Sequence, residues 1–93
     1  MTAVTVYVTN YCPYCTAAKQ FLDRLGVAYS TIDVTGDHEK RDWLVKTSGQ
    51  RTVPQIFVGK TSVGGFTDMK AMDARGDFKP LLELNGVSWA AKG

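Results

Sequence analysis

Cys12 and Cys15 are the only cysteines in the sequence, and Pro13 and Tyr14 stand between them. A pair at this spacing can close a small disulfide, supply half of a metal site, or exchange disulfides with other molecules. A bridge over so short a loop constrains the unfolded chain little and adds little stability. Small secreted domains that rely on disulfides also carry more cysteines, widely spaced. A structural zinc site needs about four ligands and a catalytic one about three. The chain has only His38 to add, a lone histidine opening a polar stretch and expected in solvent. Thiol–disulfide exchange is the chemistry that fits the pair.

The segments on either side place the cysteines. Val4-Thr5-Val6-Tyr7-Val8-Thr9 alternates β-branched and aromatic residues, the pattern of a half-buried strand. From Pro13 the apolar positions Tyr14, Ala17, Ala18, Phe21, Leu22 and Leu25 recur at helical spacing, with proline suited to the first turn and Gly26 to the stop. The cysteines therefore fall where a strand gives way to a helix. Free backbone N–H groups and the positive end of the helix dipole favour a negative group there, and a thiolate is one. Cys12, first in the motif, is the expected exposed attacker. Cys15 follows three residues later near the same helix face, able to reach back and resolve a mixed disulfide on Cys12.

Further elements follow in alternation. Val27 to Val34 is β-prone, and His38 to Ser48 carries Trp43, Leu44 and Thr47 at helical offsets before Gly49. Gln55–Val58, the Gly59-Lys60 turn and Thr61–Gly64 form a hairpin. Helices are expected over about Thr67 to Arg75 and Phe78 to Leu84, each stopped by glycine. This order builds an α/β fold, a four-stranded mixed sheet with helices on both faces. The 93 residues are 44% hydrophobic and 22% charged, enough for one domain over 1–93 with a core of about 4–85 and a tail at 86–93. A net charge of +2, with scattered Lys and Arg, lacks the footprint of a nucleic-acid binder. No apolar run reaches membrane-spanning length and no leader-like stretch opens the chain, so a cytoplasmic location is expected.

Cys12-Pro13-Tyr14-Cys15 after a strand, then Thr52-Val53-Pro54, then Gly64-Gly65-Phe66-Thr67-Asp68, together resemble a dithiol glutaredoxin of the small bacterial type over about residues 4 to 85. The resemblance implies a thioredoxin-like fold and a cis Val53–Pro54 bond facing the cysteines. A proline there has no N–H, and the residue before it is pushed toward extended geometry, leaving the Val53 backbone to pair with a peptide-like substrate as an added strand. Glutathione, the implied co-substrate, carries two carboxylates and one ammonium, so its site needs donors at two places and an acceptor at a third. The resemblance sets its γ-glutamyl end over Thr67 and Asp68, with Gly64-Gly65 permitting close backbone approach. Thr9 occupies the position, three before the first cysteine, where the family often has lysine, so Arg41 and Arg51 become candidates for the glycyl carboxylate. Tyr14 is expected against the bound tripeptide, and Tyr7, Phe21, Trp43 and Phe57 in the core.

The implied activity is reduction of protein–glutathione mixed disulfides through Cys12 alone and of protein disulfides through both thiols, by a monomer without a tightly bound cofactor. A ribonucleotide reductase is one client that the family suggests. Two alternatives stay open. One is an electron donor coupled to thioredoxin reductase, though thioredoxins usually carry Trp before the motif and Gly-Pro inside it, where this chain has Tyr11 and Pro13-Tyr14. The other is a module in which two chains hold an iron–sulfur cluster through Cys12 and glutathione, a role commoner in relatives with a single active cysteine.

Overall fold

The protein is described from a computed structural model over residues 3–10, 12–50, 52–87 and 89. Its elements run β1 (Val4–Val8), α1 (Pro13–Arg24), β2 (Ser30–Asp33), α2 (His38–Ser48), β3 (Gln55–Val58), β4 (Thr61–Gly64), α3 (Phe66–Ala74) and α4 (Phe78–Leu84). The sheet order is β2-β1-β3-β4, with β1 parallel to β2 and antiparallel to β3, and β3 antiparallel to β4. The two central strands set the frame: Val6 lies opposite Ile56 and Tyr7 opposite Gln55.

Strand alternation divides the apolar residues between two cores. Val4, Val6 and Val8 of β1 and Ile56 and Val58 of β3 pack on one face with Ala18 and Leu22 of α1, Met69 of α3, and Phe78 and Leu82 of α4. Phe57 faces the other way and packs with Val34 and Leu44, so α2 covers the second face alone. The result is the expected four-stranded mixed sheet with helices on both faces. No described helix is long and apolar enough to cross a membrane.

Helix α1 has legible ends. Cys12 is its N-cap and Pro13 the first helical residue. At the other end the Val27 N–H donates to the Leu22 carbonyl and the Gly26 N–H to that of Asp23, both at 3.0 Å. This Schellman arrangement needs the positive φ of 69° that Gly26 supplies. Val27 and Leu22 then both enter the core.

Three expectations are corrected. The second strand is only Ser30–Asp33, because β1 offers the partners Thr5 to Val8; Val27 is buried outside the ladder. Helix α3 begins at Phe66, one residue early, with Gly65 as its cap. Trp43 is 45% exposed, because the second face has a single covering helix and the indole lies at the edge of its cluster, stacked on Phe57 at 5.7 Å. Phe57 is buried as expected, and Tyr7 and Phe21 are half-buried against the cores.

Helix α4 supplies a direct check on the packing, since Phe78 is 0% and Leu84 84% exposed. Phe78→Ala should lose about 3–5 kcal/mol in urea unfolding, and Leu84→Ala no more than about 0.5 kcal/mol. Similar losses at the two positions would contradict this seating of α4.

Candidate active site

The approach to the cysteines is fixed from β2. The Asn10 N–H donates to Thr35 Oγ1 at 2.9 Å, and the Thr35 N–H to Asp33 Oδ1 at 2.8 Å. The chain then reaches Cys12, whose Sγ accepts from the Cys15 N–H at 3.3 Å, as a serine or aspartate oxygen does at an ordinary N-cap. As a thiol, Cys12 also donates to the Val53 carbonyl at 3.5 Å. The sulfur thus lies at the positive end of α1, against the segment that carries the proline.

Cys15 has a different environment. It is 2% exposed, on the face of α1 that enters the core. Its thiol is pushed up to about 11, first because burial penalises the thiolate, then by its hydrogen bond to Cys12 and the Cys12 charge; the Thr9 backbone and Lys19 act in the opposite direction. Two of the raising causes come from Cys12 itself.

Beside the cysteines runs an open groove of about 390 Å³, lined by Tyr14, Gln50, Thr52, Val53, Pro54 and the stretch from Gly65 to Asp68. The Val53–Pro54 bond is cis, as the resemblance implied. Gln50, Thr52 and Val53 also line a hollow of about 220 Å³ with His38, Arg41 and Asp42, so the two share a wall. One wall is aromatic: the exposed Tyr14 ring lies 6.5 Å from Phe66, which meets Phe21 edge-on at 6.3 Å. The Lys70 ammonium stands 5.4 Å over the Phe66 ring.

At the far end, Asp68 is the third residue of α3, where a carboxylate suits the helix dipole. It folds back so that Oδ2 accepts from the Gly65 N–H at 2.9 Å. Gly64 makes this possible: its φ is +106°, and a Cβ there would stand 2.5 Å from Asp68 Oδ2.

Of the residues expected from sequence, Tyr14, Thr52, Val53, Pro54, Gly65, Thr67 and Asp68 line the groove, and Arg41 the adjoining hollow. Thr9 lines neither; it reaches the site through its backbone, beside the Cys15 thiol. Arg51 lies outside the described residues. Two lining residues were not foreseen. Gln50 follows a helix-ending glycine and reads as an ordinary polar loop residue, and Phe66 reads as a spacer before a helix expected at Thr67.

Comparison with known proteins agrees with this geometry. A family model described as glutaredoxin matches residues 4–63. Glutaredoxin 3 of Escherichia coli strain K12 is 42% identical over 83 residues, covering 89% of this chain and 100% of that one. A glutaredoxin of Pseudomonas aeruginosa strain PAO1 is 44% identical over 82 residues, covering 88% of this chain and 98% of that one. The crystal structure of a buckwheat glutaredoxin–glutathione complex superposes with a TM-score of 0.83 at 32% identity, covering 91% of this chain and 80% of that one.

The depth of the two sulfurs makes a chemical prediction. Limiting iodoacetamide at pH 7 should label Cys12 and spare Cys15, read by peptide mass spectrometry. Cys15 should become reactive only as pH approaches about 11. The sign for stability follows: the raised thiol stabilises the reduced fold fully below the ordinary cysteine range, and that contribution is lost as pH rises from about 9 through 11. Equal labelling of both cysteines at neutral pH would contradict the assignment.

Proposed function

We propose, for a chain that belongs to the glutaredoxin family of glutathione-dependent thiol–disulfide oxidoreductases, a reaction in which Cys12 is the nucleophile and Cys15 the resolving thiol. The observation that carries this reading is the Val53 carbonyl, 3.5 Å from Cys12 Sγ in a segment that also lines the groove. A peptide paired with the Val53 backbone as an added strand would have its sulfur beside Cys12. The glutathione γ-glutamyl carboxylate would meet the N–H groups at the start of α3, and its ammonium Asp68. The glycyl carboxylate would lie toward Arg41, which lines the hollow beside the groove.

For a protein–glutathione mixed disulfide, the Cys12 thiolate attacks the glutathione sulfur. A Cys12–glutathione disulfide forms, the protein–glutathione S–S bond breaks, and the protein leaves as a thiolate that takes a proton from water. A second glutathione thiolate attacks the glutathione sulfur on Cys12, releasing oxidised glutathione and the Cys12 thiolate. Cys15 has no part in this cycle.

For a protein disulfide, a ribonucleotide reductase being one client of this kind, the Cys12 thiolate attacks one target sulfur, the target S–S bond breaks, and the other target sulfur leaves as a thiolate that takes a proton from water. Cys15 gives up its proton and attacks the Cys12 sulfur; the Cys12–target bond breaks, the second target thiolate takes up a proton, and the Cys12–Cys15 disulfide is left for two glutathiones to reduce. We place the protein, a single-domain monomer, in a reducing compartment such as the cytoplasm, where that last step is favourable.

The test couples reduction of a glutathionylated peptide and of a protein disulfide to glutathione reductase and NADPH. Cys12→Ser should abolish both activities. Cys15→Ser should keep the first within about threefold and lower the second more than about tenfold. Arg41→Met should raise KM for the glutathionylated peptide about three- to tenfold with little change in kcat. Loss of both activities in Cys15→Ser to the same degree would contradict the division of roles.

A further inference from the structure

Gln55 is the one buried polar residue among the described core positions, fully enclosed in a strand whose other members are Ile56, Phe57 and Val58. An apolar side chain would satisfy packing there without bringing a carboxamide out of water. Its Nε2 donates to the Thr52 carbonyl at 2.8 Å and to Gln50 Oε1 at 3.0 Å. Its Oε1 is buried with no hydrogen-bond partner, so the group is kept despite a polar atom that gains nothing from burial.

The orientation of both amides follows from the ends of the chain they form. The Thr52 carbonyl can only accept, so the Gln55 nitrogen faces it, and the second N–H of that nitrogen meets Gln50 through its oxygen. The Gln50 nitrogen is then turned outward, 3.5 Å from Asp68 Oδ2, which also only accepts. The Gly65 N–H is the second donor to that same oxygen. A directed run of donors therefore links Thr52 to Asp68, and both of those residues line the groove.

We propose that Gln50 and Gln55 are positioning residues that hold Asp68 Oδ2 against the Gly65 N–H, so that its other oxygen is presented to the α-ammonium of the γ-glutamyl group. The inference rests on the glutathione seating above and deepens it. Gln55 acts through Gln50, and Gln50 through Asp68. The relay also ties the Asp68 end of the groove to the Thr52–Pro54 segment, so that the acceptor for the ammonium and the backbone that receives the peptide keep one spacing.

The test compares rate constants for Cys12 attack, in a Cys15→Ser background, on two disulfides of one peptide: one with glutathione, the other with deaminated glutathione, in which hydrogen replaces the α-ammonium. The parent should prefer the first. Gln50→Leu and Gln55→Leu should each compress that preference roughly three- to tenfold, and Gln50→Leu should add nothing once Asp68→Asn is present. Variants that slow both substrates by the same factor would overturn the relay, since a loop merely misplaced penalises both. A parent indifferent to the ammonium would overturn the Asp68 seating itself, and the relay with it. Should Gln55→Leu fail to fold, the exposed Gln50 decides the matter.

Discussion

The site depends on the register between β1 and β3. With Tyr7 opposite Gln55, the chain leaving β1 toward Cys12 and the chain entering β3 from Val53 emerge side by side at one end of the sheet. The contact between Cys12 Sγ and the Val53 carbonyl, 3.5 Å across 41 positions of sequence, follows from that pairing. A slip of one residue would turn one strand's apolar set, Val6 and its neighbours or Ile56 and Val58, out of the core, so the hydrophobic pattern that stabilises the sheet also locates the nucleophile.

On this frame two thiols three residues apart sit at different depths. Cys12 caps the helix, half-buried and against the Val53 carbonyl, whereas Cys15 is enclosed with Ala18 and Leu22. Burial and the neighbouring sulfur both raise the Cys15 thiol, so it stays protonated at neutral pH.

Much of this was legible in the sequence because the signals are local. The strand alternation, Pro13 at the first helical position, Gly26 at the stop and the Cys-x-x-Cys spacing each follow from short-range geometry. The resemblance to glutaredoxins added Thr52 to Pro54 and Thr67-Asp68, whose convergence depends on strand order. Gln50 was invisible, and Phe66, though part of the quoted motif, was given no site role, because a polar residue after a glycine and an aromatic before a helix have many ordinary explanations. Trp43 was misplaced because periodicity reports which side of a helix is apolar, not whether that side is fully covered. The length of β2 was overestimated because a strand ends where its partner ends, which its own residues do not record.

The central claim is that a glutathionyl group bonded to Cys12 lies along Val53 and ends at Asp68. Comparing ¹⁵N NMR spectra of Cys15→Ser protein free and glutathionylated at Cys12 tests it most directly. The account predicts the largest amide shifts at Tyr14, Arg41, Gln50, Val53, Thr67 and Asp68, with α4 unchanged. Shifts confined to the start of α1, with none at Val53 or Asp68, would contradict it.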